Sequence, residues 1–212
     1  MIGVIVEGLG EINAIQHLLT KIDKTTGLMC RPLRADLQPK ANSRVIARSA
    51  KGAINQLVSR GVKKVVVLID REDHPCAVSF ASDLSEALHD LYSCCQFAVV
   101  VKNHSIENWL LADLNALISM TSRFSVTEDV RRAVSNRADE LPNPVRMLDK
   151  CAVKFDYHKG QDPAKIAAKM DLIVASKNSR SFRKFMREVG DRRYQSQSKD
   201  PIESRGSAND LE

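Results

Sequence analysis

Val4-Ile5-Val6-Glu7-Gly8 and Val65-Val66-Val67-Leu68-Ile69-Asp70-Arg71-Glu72-Asp73 share one plan, an apolar run that ends in carboxylates. Runs of this kind form interior strands, and in a parallel α/β sheet the strand C-termini all open onto one edge, where ligands bind. Acids from two strands can converge there without being close in sequence. Converging carboxylates repel one another until a cation or a proton neutralises them. A divalent metal on oxygen ligands is the economical answer. Mg²⁺ takes few protein carboxylates and completes its octahedron with water and phosphate, which suits this spacing.

Glu7 is followed by Gly8-Leu9-Gly10-Glu11. The two glycines permit a tight turn and close approach to the backbone. A third Gly is missing and an acid sits inside the turn, so this is no dinucleotide fingerprint, and no Gly-Lys-Ser/Thr makes it a Walker loop. Glu11 has two readings, a site acid or a first-turn partner of the helix dipole. Asp70 and Glu72 share a face if the backbone stays extended, with Asp73 turned elsewhere. Glu107, in the first turn of a later helix, can reach the same edge or simply complement its dipole. His104 is a candidate ligand or a loop hydrogen-bonder, and Trp109 sits at helical spacing with core residues.

The elements that must position these acids follow from periodicity. Strands are expected over 2–6, weakly over 28–34, over 63–70 and over 96–102. Helices are expected over 11–22, from a cap at Asn42 or Ser43 to Ser59 with Gly61 ending it, over 77–92, and from Ser105 to Leu117. Alternating strands and helices define an α/β fold, with a central, mostly parallel sheet of about four strands and helices on both faces. Residues 1–117 form this core. Residues 118–190 are expected as a helical extension packed on it, with short helices and loops to 162, then helices over 163–175 and 179–189. Residues 191–212 hold almost no core formers and are expected to be a disordered tail.

The chain has 212 residues, 43% hydrophobic but only 5% aromatic, so aliphatic side chains must fill one good core. A formal charge of +6 favours an anionic partner mildly. Cys30, Cys76, Cys94, Cys95 and Cys151 include no C-x-x-C pair, so free thiols in a reducing cytoplasm are expected rather than a structural zinc. No leader pattern precedes the first strand, and no apolar run approaches the roughly 20 residues of a membrane span. Residues 177–193 carry seven basic residues against two acids. Arg180, Arg183, Lys184 and Arg187 could line one helical face and track phosphates, or form an ordinary solvated face, with Phe182 and Phe185 anchoring the helix in the core.

The strand-Glu-Gly turn, the strand-Asp-x-acid pair and the alternating architecture resemble a TOPRIM domain, the metal-binding fold of topoisomerases, primases and certain nucleases. Glu7-Gly8-Leu9-Gly10-Glu11, Ile106-Glu107-Asn108-Trp109-Leu110-Leu111-Ala112-Asp113 and Ser181-Phe182-Arg183 resemble more narrowly the small stand-alone TOPRIM proteins. These are related to the overcoming-lysogenisation-defect nucleases and are found beside ATPases in phage-defence operons. The resemblance touches most of residues 2–190. It implies that Glu7 is the TOPRIM glutamate and Asp70 the first acid of the Asp-x-Asp pair, with Glu72 replacing the second.

By that resemblance the chemistry is phosphodiester cleavage on nucleic acid. One or two Mg²⁺ (or Mn²⁺) held by Glu7, Asp70, Glu72 and, further out, Asp73 and Glu107 would polarise the phosphate and activate water. Glu11 would be general base or outer partner. Lys159 would stabilise developing negative charge or remain a solvated loop lysine. The leading expectation is a nuclease effector of an ATPase-associated defence system. The alternatives are a non-catalytic binding or regulatory subunit of an ATPase complex, and hydrolysis or transfer on a small phosphorylated molecule.

Overall fold

A computed structural model describes residues 1–22, 30–135 and 137–195. Four strands, β1 (Ile2–Val6), β2 (Leu33–Arg34), β3 (Lys64–Asp70) and β4 (Gln96–Lys102), form one sheet in the order β2-β1-β3-β4. Every neighbouring pair runs parallel. The expected strand over 28–34 is realised as Leu33–Arg34, and its first two residues lie outside the described ones.

The β-branched runs explain the sheet's interior. Val65 to Ile69 are all buried, because helices cover both faces and each face takes alternate side chains. Val4, Val6, Val66, Leu68 and Val100 point into one core; Ile5, Val65, Val67, Ile69, Val99 and Val101 point into the other. The second core is closed by α2 (Ser43–Ser49), α3 (Lys51–Ser59) and α4 (Ala77–Leu91), through Ile46, Ile54, Leu57, Phe80, Leu84 and Leu88. Gly61, at φ +82°, ends α3 in the left-handed conformation that a side chain disfavours.

The first core is closed by α1 (Leu9–Lys21), α5 (Ile106–Leu111), α6 (Leu114–Ile118), α7 (Glu128–Val134), α8 (Pro144–Cys151), α9 (Asp162–Lys169), α10 (Leu172–Asn178) and α11 (Arg180–Glu188). Residues 118–190 are thus the cover of one sheet face. Trp109 is their hub. It is fully buried, lies 5.2 Å from both Phe182 and Phe185, and donates its indole N–H to Ser181 Oγ at 2.7 Å.

Three expected helices are each two helices. Asp113 accepts from Asn115 N at 3.1 Å and Asp171 N at 2.7 Å, ending the 105–117 pattern between α5 and α6. Asp171 caps α10 through Ile173 N and Val174 N, dividing 163–175. Ser49 Oγ takes the Ile46 carbonyl at 2.7 Å where α2 gives way to α3. Order also continues past Gly190. Asp191 is fully buried, and Tyr194 packs in the core with its hydroxyl on Ser176. The remainder of the expected disordered tail, 196–212, lies outside the described residues.

Trp109→Ala should lower stability by about 3–5 kcal/mol, the range for emptying an aromatic core site. Trp109→Phe, which keeps the ring stack and loses one hydrogen bond, should cost about 1–2 kcal/mol. Urea midpoints measure both, and equal losses would show that Trp109 is not the hub.

Candidate active site

The strand order places the site. From β1 the chain crosses to β2 under α1, and from β2 it returns past β1 to β3 under α2 and α3 on the opposite face. β1 and β3 therefore flank the point where the winding reverses, and the crevice at their C-terminal ends is where ligands enter such sheets. Glu7 follows β1 directly and Asp70 closes β3. The register sets Ile5 opposite Val67 and Asp70 opposite Lys102, so the two acids meet on one rim with Lys102 beside them.

Lys102 is the residue that sequence reasoning missed. Its side chain is 1% exposed, and its ammonium pairs with Glu11 and, at 2.8 Å, with Asp70 Oδ1. Burial alone would lower its pKa, but Glu11 and Asp70 more than offset this and hold it above the ordinary lysine value. Asp70 is pushed up by burial and pulled back by Lys102. A terminal lysine in an apolar strand gives one sequence signal, yet only the β3–β4 register reveals which acid it faces.

Glu7 is left outside this arrangement. Burial and Asp70, with smaller contributions from Glu11 and Glu72, raise its carboxyl from 4.5 to about 7, against the pull of Lys102. Its Oε2 is buried and has no hydrogen-bond partner among the described residues. Glu11, by contrast, is fully engaged: beyond Lys102 it accepts from Gly8 N at 3.4 Å. Its carboxylate thus serves the first turn of α1, as the capping partner of Gly8 N, and also pairs with Lys102.

Arg71, Glu72 and Asp73 do not continue the strand. Glu72 adopts φ +47° and the chain turns, with His74 N donating to Arg71 O at 3.1 Å. An extended backbone sharing one face between Asp70 and Glu72 is therefore corrected. Glu72 and Asp73 both lean to Lys40, at 3.7 and 3.6 Å, and line a cleft of about 560 Å³ with His104, Arg146, Asp149 and Lys159. Glu72 still lies close enough to act on Glu7, whereas the Asp73 side chain is 90% exposed. Glu107 is buried and accepts the Tyr157 hydroxyl at 3.2 Å; burial and this acid push the tyrosine pKa up.

Lys159 is brought to the site although it stands far along the chain. A Cβ on Gly10 would collide with the Lys159 carbonyl oxygen, so the glycine serves close approach of this loop rather than of a ligand. Arg123 binds the carbonyls of Phe155 and Asp156 and the Asp162 carboxylate, which accepts from His158 N at 2.8 Å. The lysine is thus presented from a fastened loop.

The basic helix starts near the β4 end of this edge, where Asp139 accepts from Asn103, and runs away from it. α11 has its N-terminal end at Asp139, through Ser181, and its C-terminal end at Lys64, which pairs with Glu188 at 3.0 Å. Lys64 opens β3 while Asp70 closes it, about 20 Å away along the strand. Arg183 donates to Ser176 O at 2.5 Å, and Arg187 pairs with Glu188 at 2.9 Å. Lys184 is half-buried, and burial lowers its pKa; Arg180 alone is openly exposed.

The fold and rim define an α/β protein with an acid cluster at the switch point of a parallel sheet. The chain belongs to the DUF4276 family, a domain of unknown function whose model matches residues 6–190. No curated protein and no solved structure matches it. Among the described residues no helix is long and apolar enough to cross a membrane. Nor do three or more His, Cys, Asp or Glu side chains among them gather in an arrangement that could hold a metal ion. The orphaned Glu7 oxygen beside Asp70 fits a divalent ion resting on two carboxylates and otherwise on water and phosphate.

Two measurements test this geometry. Lys102→Met leaves Glu11 and Asp70 buried without their cation and should cost about 3–5 kcal/mol at pH 8. The loss should shrink as pH falls, because burial raises the Asp70 pKa and a proton can replace the missing cation; equal losses at pH 8 and pH 5 would contradict the pairing. The Glu7 proton is bound more tightly in the folded chain than in the unfolded one. Its contribution is therefore neutral below the unfolded value of 4.5, opposes folding progressively up to about 7, and is fully unfavourable above. Glu7→Gln should stabilise the metal-free protein at pH 8 by roughly 1 kcal/mol after solvent screening, and change little at pH 4, in thermal melts.

Proposed function

We propose that this protein is a Mg²⁺- or Mn²⁺-dependent TOPRIM-type nuclease that hydrolyses nucleic-acid phosphodiesters. The observation that carries the reading is the pair Glu7 and Asp70 on one rim, with the buried Glu7 Oε2 lacking a hydrogen-bond partner among the described residues. Glu7 and Asp70 would hold the ion, with Glu72 on its cleft side, and the ion would supply Lewis-acid polarisation of the phosphate and a nucleophilic water. Lys102, paired with both Glu11 and Asp70, holds Asp70 at the rim and favours its ionised form against burial and the charge of Glu11. Lys159 reaches the same cleft, where an ammonium stabilises charge that develops on phosphate oxygens. The reading extends to an effector role beside an ATPase partner in cytoplasmic anti-phage defence, on the strength of the motif resemblance.

A second reading has its own observation. Lys102 already pairs with both Glu11 and Asp70, so these two acids can be held together without a bound metal. A non-catalytic binding or regulatory subunit of an ATPase complex would keep this arrangement for stability alone.

Purified protein should nick plasmid DNA or cut RNA with Mg²⁺ or Mn²⁺, and Glu7→Gln and Asp70→Asn should each reduce cleavage to the level of a no-protein control. Cleavage that persists in both variants would place the activity elsewhere. Calorimetry showing no divalent-ion binding, together with a stable complex with an ATPase, would establish the second reading instead.

A further inference from the structure

The cleft beside the acid rim carries cations that the fold does not use. Arg146 and Lys159 are exposed and line it from opposite segments, α8 and the 153–161 loop. Neither makes a side-chain ion pair or hydrogen bond among the described residues. The acids in the same cleft are already engaged. Glu72 and Asp73 face Lys40, and Asp149 accepts from Tyr157 N at 2.9 Å. Arg146 and Lys159 are thus the cations lining the cleft that no acid among the described residues pairs with.

Both cations stand on fixed supports. The Lys159 loop is clamped by Arg123 and Asp162 and seated on Gly10. The segment entering α8 is held by Asn108, which is fully buried and donates to Ala138 O at 2.6 Å and Leu141 O at 3.1 Å. A third cation stands behind His104 on the same side. Arg71 has a buried Nε with no hydrogen-bond partner among the described residues, and its charge, after burial, helps hold the His104 pKa down.

We propose that this cleft is a phosphate-binding groove in which Arg146 and Lys159 grip the backbone of a nucleic-acid strand and lead it to the Glu7–Asp70 rim; the strand's identity rests on the phosphodiesterase reading above. Arg146 gives a planar fork of donors for phosphate oxygens and Lys159 a point charge. The groove replaces the face of α11, whose Arg183 and Arg187 are spent on Ser176 O and Glu188. A cleft of about 560 Å³ also admits a lone nucleotide. The shared chemistry is a phosphate ester, and a strand offers the second phosphate that two separated cations require.

The test is fluorescence anisotropy of a labelled single-stranded oligonucleotide with the full chain in EDTA, across a salt series. Arg146→Ala and Lys159→Ala should each weaken binding roughly 10-fold and reduce the salt slope by about 1. Lys51→Ala, in a hollow lined by Arg48, Asn55 and Tyr92 on the other helical layer, should change neither. Circular dichroism melts confirm that each variant is folded. Unchanged affinity in folded Arg146→Ala and Lys159→Ala overturns the groove. Tight binding of a mononucleotide or inorganic phosphate with no oligonucleotide binding overturns the strand as its ligand. Loss of oligonucleotide binding in both variants upholds the groove even if the wild-type protein cleaves nothing with Mg²⁺, an outcome that removes only the catalytic reading.

Discussion

A single buried ammonium organises the acid edge of this protein. Lys102 sits where three carboxylates would otherwise repel one another, and it satisfies two of them. A lysine buried this completely survives only because its partners recover the cost of removing its charge from water. The same pairing ties β4 to β3 and to the first turn of α1, so one charge joins three elements at the crevice. Glu7 is the third acid, at the rim, its buried Oε2 without a hydrogen-bond partner among the described residues.

The surrounding fold keeps this deficit in place. Strand order brings β1 and β3 side by side at the reversal of winding, and helices on both faces bury the strand interiors. The far end of the chain then returns to close the site. Gly10 admits the Lys159 carbonyl, Glu107 takes the Tyr157 hydroxyl, and Arg123 and Asp162 lock the loop between them. Residues 118–195 thus build the second wall of the cleft as well as covering the sheet.

Much of this was readable in the residues. Apolar runs identify β1, β3 and β4 because period and β-branching agree, and the acids that end them mark the edge they share. The helix divisions were hidden, since Asp113 and Asp171 interrupt the hydrogen bonding without disturbing the 3.6-residue spacing of their neighbours. Lys102 was hidden because a strand-end lysine reads as solvated until the parallel register sets it against Asp70. Arg183 and Arg187 show the converse limit. Their spacing describes a face, but not that Glu188 and the end of α10 already occupy them. Glu72 was placed near the site but on the wrong geometry, because its left-handed turn carries no glycine to announce it.

The most direct measurement is the pH titration of the Glu7 side-chain carboxyl by carbon NMR, with and without Mg²⁺. A midpoint near 7 in metal-free protein, falling when Mg²⁺ is added, is the result predicted for an acid at a shared rim that lacks its cation. A midpoint at the ordinary value of 4.5, unmoved by Mg²⁺, would contradict both the crowding of the rim and its capacity to hold an ion.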